Sequence, residues 1–195
     1  MRVLVVYSHP VETSYNAALH REVVESLVRA GHEVDDCDLY AEDFDPVLSR
    51  AERLGYHDVP ANLEPVRRYV ERLRWAEALV FCFPTWCFGL PAMLKGFFDR
   101  VFLPGVAFDI SDPRDVRPSL THLKRISAVV TYGRPRWTAW AMGDPPRKIV
   151  TRYLRRLSGG NARIEYLACY HMNVAARPRL DRFRQRVGRA MAALA

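Results

Sequence analysis

The chain has 195 residues, 49% apolar and 26% charged, the make-up of a soluble globule long enough for one domain with a sizeable core. No apolar stretch approaches the roughly 20 residues that a membrane-crossing helix needs, which excludes membrane insertion by a helix. The formal net charge is +7, carried almost wholly by arginine, since lysine occurs only at positions 95, 124 and 148; such a field favours anionic ligands such as phosphorylated cofactors, or is simply a basic surface.

The apolar run from Val3 to Tyr7 reads as a central strand buried on both faces. The polar turn from Ser8 to Thr13 follows. Ser14 to Ala30 then reads as the first helix, with Leu19, Val23 and Leu27 on one face and Gly31 as its stop. Glu33–Leu39 is a short second strand, and Tyr40–Pro60 a polar, irregular connection. Pro65–Trp75 reads as a helix, Ala78–Phe83 as a fully apolar strand, and Pro91–Phe102 as a helix with Pro91 in its first turn. Leu103–Ser119 is rich in turn-forming residues and suits an excursion with a short hairpin. Arg125–Thr131 is the fourth strand. A loop rich in Trp, Arg and Pro precedes a helix over Arg147–Leu157, a fifth strand over Ile164–Tyr170 and a closing helix over Leu180–Leu194.

Strands alternating with helices imply a parallel sheet covered on both faces, doubly wound α/β, with strand order 2-1-3-4-5. The ligand then lies beyond the carboxyl ends of strands 1, 3 and 4. No linker or repeat divides residues 1–195, which read as one domain. The four cysteines (37, 82, 87 and 169) form no C-x-x-C pair, so reduced thiols of a cytoplasmic protein are expected. The opening apolar run is too short for a signal peptide. The histidines at 20, 32, 57, 122 and 171 have no metal-ligand spacing, and no metal is expected.

Three segments carry chemistry. His9–Asn16 places Thr13, Ser14 and Asn16 at a helix start, which suits either a capped helix or a phosphate cradle. It lacks the G-x-G-x-x-G and P-loop patterns. Phe83–Pro91 brings Trp86 and Phe88 to the sheet edge, either to sandwich a flat ring or to pack as core. Val130–Arg134 leaves the fourth strand through Thr131 and Gly133, a tight approach to a ligand.

Together the stretches "SHPVETSYNAAL", "DLYAEDFDPVLS", "FPTWCFGLPAMLKGFFDRVF" and "PGVAF" resemble the flavodoxin-like NAD(P)H:quinone oxidoreductases, in the expected order up to about residue 133. The resemblance implies a flavin, FAD in preference to FMN. By position, His9, Thr13, Ser14, Tyr15 and Asn16 hold its phosphate region. Pro84, Thr85, Trp86, Cys87 and Phe88 bound its ring system, and Thr131, Tyr132 and Gly133 close the other side. It implies hydride transfer from NADH or NADPH, then two-electron reduction of a quinone-like acceptor. Phe108 would border the substrate opening, in a homodimer whose partner chain shares that border. Two other functions occur among similar proteins: a flavin-bearing regulatory subunit of a potassium-efflux system, and a flavodoxin-type electron carrier.

The chain departs from this pattern in places. Cys87 stands where a second aromatic is common, and it reads as a buried structural thiol. Tyr132 replaces a common Gly. No Tyr/His acid–base pair follows the fourth strand, so no catalytic residue is assigned. Trp137 and Trp140 either wall the substrate pocket or pack under their loop, and Arg134 and Arg136 either meet the phosphate of NADPH or are solvated. Lys95 and Asp99 read as a helix-surface pair. The arginines from Arg177 to Arg189 read as the wet face of a packed helix, because Leu180, Phe183, Val187, Met191 and Leu194 recur at helical spacing; no nucleic-acid partner is expected.

Overall fold

Five parallel strands are hydrogen-bonded in the order β2-β1-β3-β6-β7: β1 (Arg2–Tyr7), β2 (Glu33–Asp38), β3 (Ala78–Pro84), β6 (Arg125–Thr131) and β7 (Arg163–Cys169). Counting these strands alone, the order is the expected 2-1-3-4-5. The computed structural model describes residues 1–112 and 114–194. Pro113, within the Leu103–Ser119 excursion, and Ala195, the end of the expected 1–195 domain, lie outside the described residues.

The central strands show why their sequences lack polar alternation. In β1, Val3, Val5 and Tyr7 pack against α1 (Tyr15–Arg29) and α8 (Arg177–Ala192) on one face. Leu4 and Val6 pack on the other face, which α3 (Arg67–Trp75) and α4 (Ala92–Val101) cover. Both faces are therefore dry. The same holds for β3, in which every residue is buried. The edge strands β2 and β7 are only partly buried, as their mixed sequences require.

Local signals set the helix ends. Ser14 caps α1 by accepting from the Ala17 N–H (3.1 Å), and Gly31 leaves it at φ 79°. The connection expected to be irregular, Tyr40–Pro60, contains a short helix, α2 (Arg50–Leu54), started by a Ser49/Glu52 capping box. α3 begins at Arg67 and not at Pro65, which sits in a preceding 3-10 turn, Ala61–Val66. The excursion after α4 does hold a hairpin, β4 (Phe108–Asp109) antiparallel to β5 (Arg117–Pro118). The Trp-rich loop forms α5 (Arg136–Ala141). The next helix runs as α6 (Pro145–Lys148), a π-helical stretch over Ile149–Leu154, and α7 (Arg155–Leu157). Val187, Met191 and Leu194 are buried beneath α8, and its arginines are exposed. Lys95 pairs with Asp99 on α4 (2.5 Å). Among the described residues no helix is long and apolar enough to cross a membrane.

Candidate cofactor site

Parallel pairing sends β1, β3 and β6 in one direction, so the segments that leave them emerge at one rim, at the point where the strand order reverses. Hydrogen bonds tie these segments together. The Asn16 amide donates to the Thr131 hydroxyl (3.4 Å), and both the N–H and the hydroxyl of Thr85 donate to the Thr131 carbonyl (2.9 and 3.0 Å). The His9 and Trp86 rings pack 5.8 Å apart, tilted by 58°. Asn16 and Thr131 are buried, whereas Trp86 is 42% exposed.

His9 is held in one tautomer. The Val11 N–H (3.0 Å) and the Ser14 hydroxyl (3.2 Å) both address its Nδ1, so that nitrogen accepts and the proton sits on Nε2. Burial lowers the His9 pKa below its ordinary value, which keeps the ring neutral. Its Nε2–H has no partner among the described residues and remains a donor for a ligand. Ser14 spends its hydroxyl on His9 and on the helix cap, so it shapes the cradle. The N–H groups of Tyr15 and Asn16, in the first turn of a 15-residue helix, are free of intrahelical partners.

Loop 86–89 closes as a tight turn: the Trp86 and Gly89 N–H groups donate to each other's carbonyls (3.3 and 2.8 Å). Its central residues, Cys87 and Phe88, both have positive φ (50° and 58°). Such a turn ordinarily selects Asn-Gly. Two side chains held in left-handed conformations at a sheet rim mark a strained site, and strain of this kind collects at ligand clamps.

The other expected residues take varied positions. Cys87 is exposed, not a buried structural thiol, because the turn projects its tip outward. The Tyr15 side chain turns away from the rim and donates to the Leu180 carbonyl (2.8 Å), joining α1 to α8. Tyr132 is buried: strand alternation sends it to the face opposite Thr131. There its hydroxyl donates to Asp144 (2.6 Å) and accepts from Tyr166 (2.6 Å). Pro84 is buried in β3. Thr13 is exposed at the mouth of the loop, and Gly133 lies against Asn173: a Cβ there would fall 2.9 Å from the Asn173 amide nitrogen. Phe108 lines a cleft of about 480 Å³ with Leu90, Phe98, Phe102, Tyr56 and Tyr153, and neither Trp137 nor Trp140 borders that cleft. The two tryptophans are 69% and 79% exposed, so they do not pack under their loop.

Sequence reasoning missed the residues that hold the third loop. Asp144, Arg147, Tyr166 and Tyr170 form one polar cluster: Arg147 donates to Asp144 (3.0 Å) and to the Tyr170 hydroxyl (2.8 Å), and its guanidinium lies 4.2 Å from the Tyr166 ring centre. Burial drives the Tyr132 and Tyr166 hydroxyls well above the usual tyrosine range, so both remain protonated donors. The one local signal was Asp144-Pro145-Pro146, which marks a helix start.

The site is suited to a phosphorylated flat-ring cofactor. Two buried hydroxyls at the end of β1, Tyr7 and Ser8, have no hydrogen-bond partner among the described residues. They lie where β1 hands the chain to the His9–Ser14 turn, and buried polar groups of this kind are ordinarily satisfied. Trp86 and Phe88 stand on the loop that follows β3, at the same edge of the sheet.

The comparisons agree with this geometry. A family model described as a flavodoxin-like fold matches residues 1–191, and the chain belongs to that family. It is 35% identical over 148 residues to the NAD(P)H dehydrogenase (quinone) 1 of Cavia porcellus, covering 68% of this chain and 54% of that protein. A ribosyldihydronicotinamide dehydrogenase-like protein of Penicillium crustosum is 36% identical over 156 residues, covering 68% and 58%. The chain thus spans little more than half the length of these curated relatives. Among solved structures, the NAD(P)H:quinone oxidoreductase of Methanothermobacter marburgensis superposes with a TM-score of 0.83 at 26% identity, over 100% of this chain and 99% of that one.

Proposed function

We propose that the chain is a flavin-dependent NAD(P)H dehydrogenase that reduces quinones or similar acceptors by two-electron hydride transfer, acting as a cytoplasmic homodimer of one domain per chain. The observation that carries this reading is the Asn16–Thr131–Thr85 linkage, which gathers three separate loops at one rim beside the His9–Trp86 pair. The names of the relatives support it. A flavin bound there supplies the hydride chemistry.

The chain's own residues position and shield. His9 Nε2–H and the Tyr15 and Asn16 N–H groups would hold the phosphate region, helped by the α1 dipole. Trp86, Phe88 and the backbone of the strained turn would bound the ring system, with Cys87 at its open edge. Thr85 and Thr131 fix the spacing between the two walls, and at Gly133 the absent Cβ lets the Asn173 side chain close against the loop. The likeness of the His9–Asn16 segment to FAD-binding relatives favours FAD over FMN. For the homodimer, the supporting feature is the apolar cleft around Phe108, Phe98 and Phe102, where the resemblance expects a partner chain to share the substrate border.

Steady-state oxidation of NADH and NADPH, with and without benzoquinone, tests the activity. Acceptor-dependent turnover by the flavin-loaded protein is expected, and its absence would refute the assignment.

A further inference from the structure

The short helix that leaves the third rim loop carries surface that the cofactor cradle does not use. Trp137 and Trp140 lie three residues apart on α5 and so share one face of it, with their indoles 69% and 79% exposed. Among the described residues neither indole has a ring partner. Arg134 and Arg136 precede them in the chain, and neither guanidinium has a carboxylate partner among the described residues. Two indoles in water beside two unmatched cations are a costly arrangement for a surface without a ligand.

The helix is also held firmly. Ala139 anchors its inner face in the core. At one end, the His171 N–H donates to the Arg134 carbonyl (2.9 Å). At the other, Asp144 is fixed by Tyr132 (2.6 Å) and Arg147 (3.0 Å). The indoles are therefore displayed from a fixed platform that starts three residues beyond Gly133.

Indole faces stack on a heterocyclic base of any identity. Guanidiniums are the preferred partners of phosphate, which they grip through two parallel N–H donors. Both nicotinamide donors have an adenine ring, but only NADPH adds a phosphate dianion to the adenosine ribose, and that dianion matches the two free cations. We infer that Arg134, Arg136, Trp137 and Trp140 dock the adenosine 2′-phosphate end of the reduced donor, which makes that donor NADPH in preference to NADH. This deepens the redox reading above and rests on it.

The test is calorimetric titration of the protein as purified with 2′,5′-ADP, 3′,5′-ADP and 5′-AMP, with flavin content measured by visible absorbance on the same sample. The expected result is binding of 2′,5′-ADP roughly tenfold or more tighter than 5′-AMP, the worth of one charge-assisted contact, and tighter than 3′,5′-ADP. The double variants R134A/R136A and W137A/W140A alter exposed side chains and should each lose that preference at unchanged oligomeric mass. Equal affinity for the three nucleotides would overturn the inference, as would parental binding by both variants. So would a dimer-to-monomer change in W137A/W140A with nucleotide affinity intact, which would assign the indoles to a second copy. Flavin present without selective binding sinks this inference and leaves the redox reading standing. A flavin-free sample that takes up neither added FAD nor FMN and still selects 2′,5′-ADP supports the nucleotide site and tells against the redox reading.

Discussion

In the proposed cradle, His9 would serve by remaining uncharged. Burial lowers its pKa, so over the interval from about 6.5 down to the lowered value the unfolded chain binds more protons than the native one. The stability tied to neutral His9 is therefore complete above about pH 6.5 and is lost as pH falls through the folded value. His9→Gln should flatten part of the fall in melting temperature between about pH 7.5 and pH 5 and should loosen the retained flavin. Thermal melts across pH check the first effect, and flavin release on dialysis the second. The Cys87–Phe88 turn makes the opposite trade. Replacing the pair with Asn-Gly relieves two left-handed conformations and should stabilise the fold by about 1–2 kcal/mol while removing the Phe88 wall. Urea unfolding should show the gain, and flavin titration a weaker dissociation constant. A variant that gained stability and kept full flavin affinity would show that the strain serves no ligand.

At the scale of elements, the rim depends on how β6 hands the chain to α5. Tyr132→Phe keeps the ring but removes a buried hydroxyl shared by Asp144 and Tyr166, at an expected cost of about 1–3 kcal/mol by urea unfolding. The α4 packing is less tolerant. At Gly96 a Cβ would sit 2.1 Å from the Pro46 carbonyl oxygen, a backbone atom that cannot rotate away. Gly96→Ala should therefore destabilise by roughly 1–3 kcal/mol or more despite alanine's better helix propensity, measurable as a fall in melting temperature. These elements also mark what the sequence made readable. β1 and β3 were plain, because strands buried on both faces have no polar residue to blur them. That Tyr132 turns inward followed from its place next to Thr131 on a period of two, and was open to inference. Its bond to Asp144 was not, because the partner lies twelve residues on, beyond a helix that composition had marked as a loop. The positive φ at Cys87 and Phe88 had no local signal at all, since neither residue type favours that conformation.

For the whole molecule, strand order followed from the alternation of strands and helices and the right-handed crossover, and it sends the segments after β1, β3 and β6 to one edge of the sheet. Which side chains reach the rim depended on helix phase and turn geometry: Asn16 points in, whereas its neighbour Tyr15 reaches α8. Charge divides along the same architecture. Exposed arginines stud α8, while β2 carries Glu33, Asp35 and Asp36 at the opposite sheet edge. The apolar cleft at Phe108 lies on the face that the proposed dimer would cover, away from α1 and α8. Phe108→Asp should therefore shift the purified protein towards the monomer in size-exclusion chromatography with light scattering, and an unchanged mass would place the interface elsewhere.

The joining of three loops around one flavin is tested most directly by the small molecule released when the purified protein is denatured. Mass spectrometry and visible absorbance should find FAD, close to one per chain, with FMN as the other outcome consistent with the cradle. A colourless protein that also failed to take up added FAD or FMN would contradict the account, whatever activity it showed.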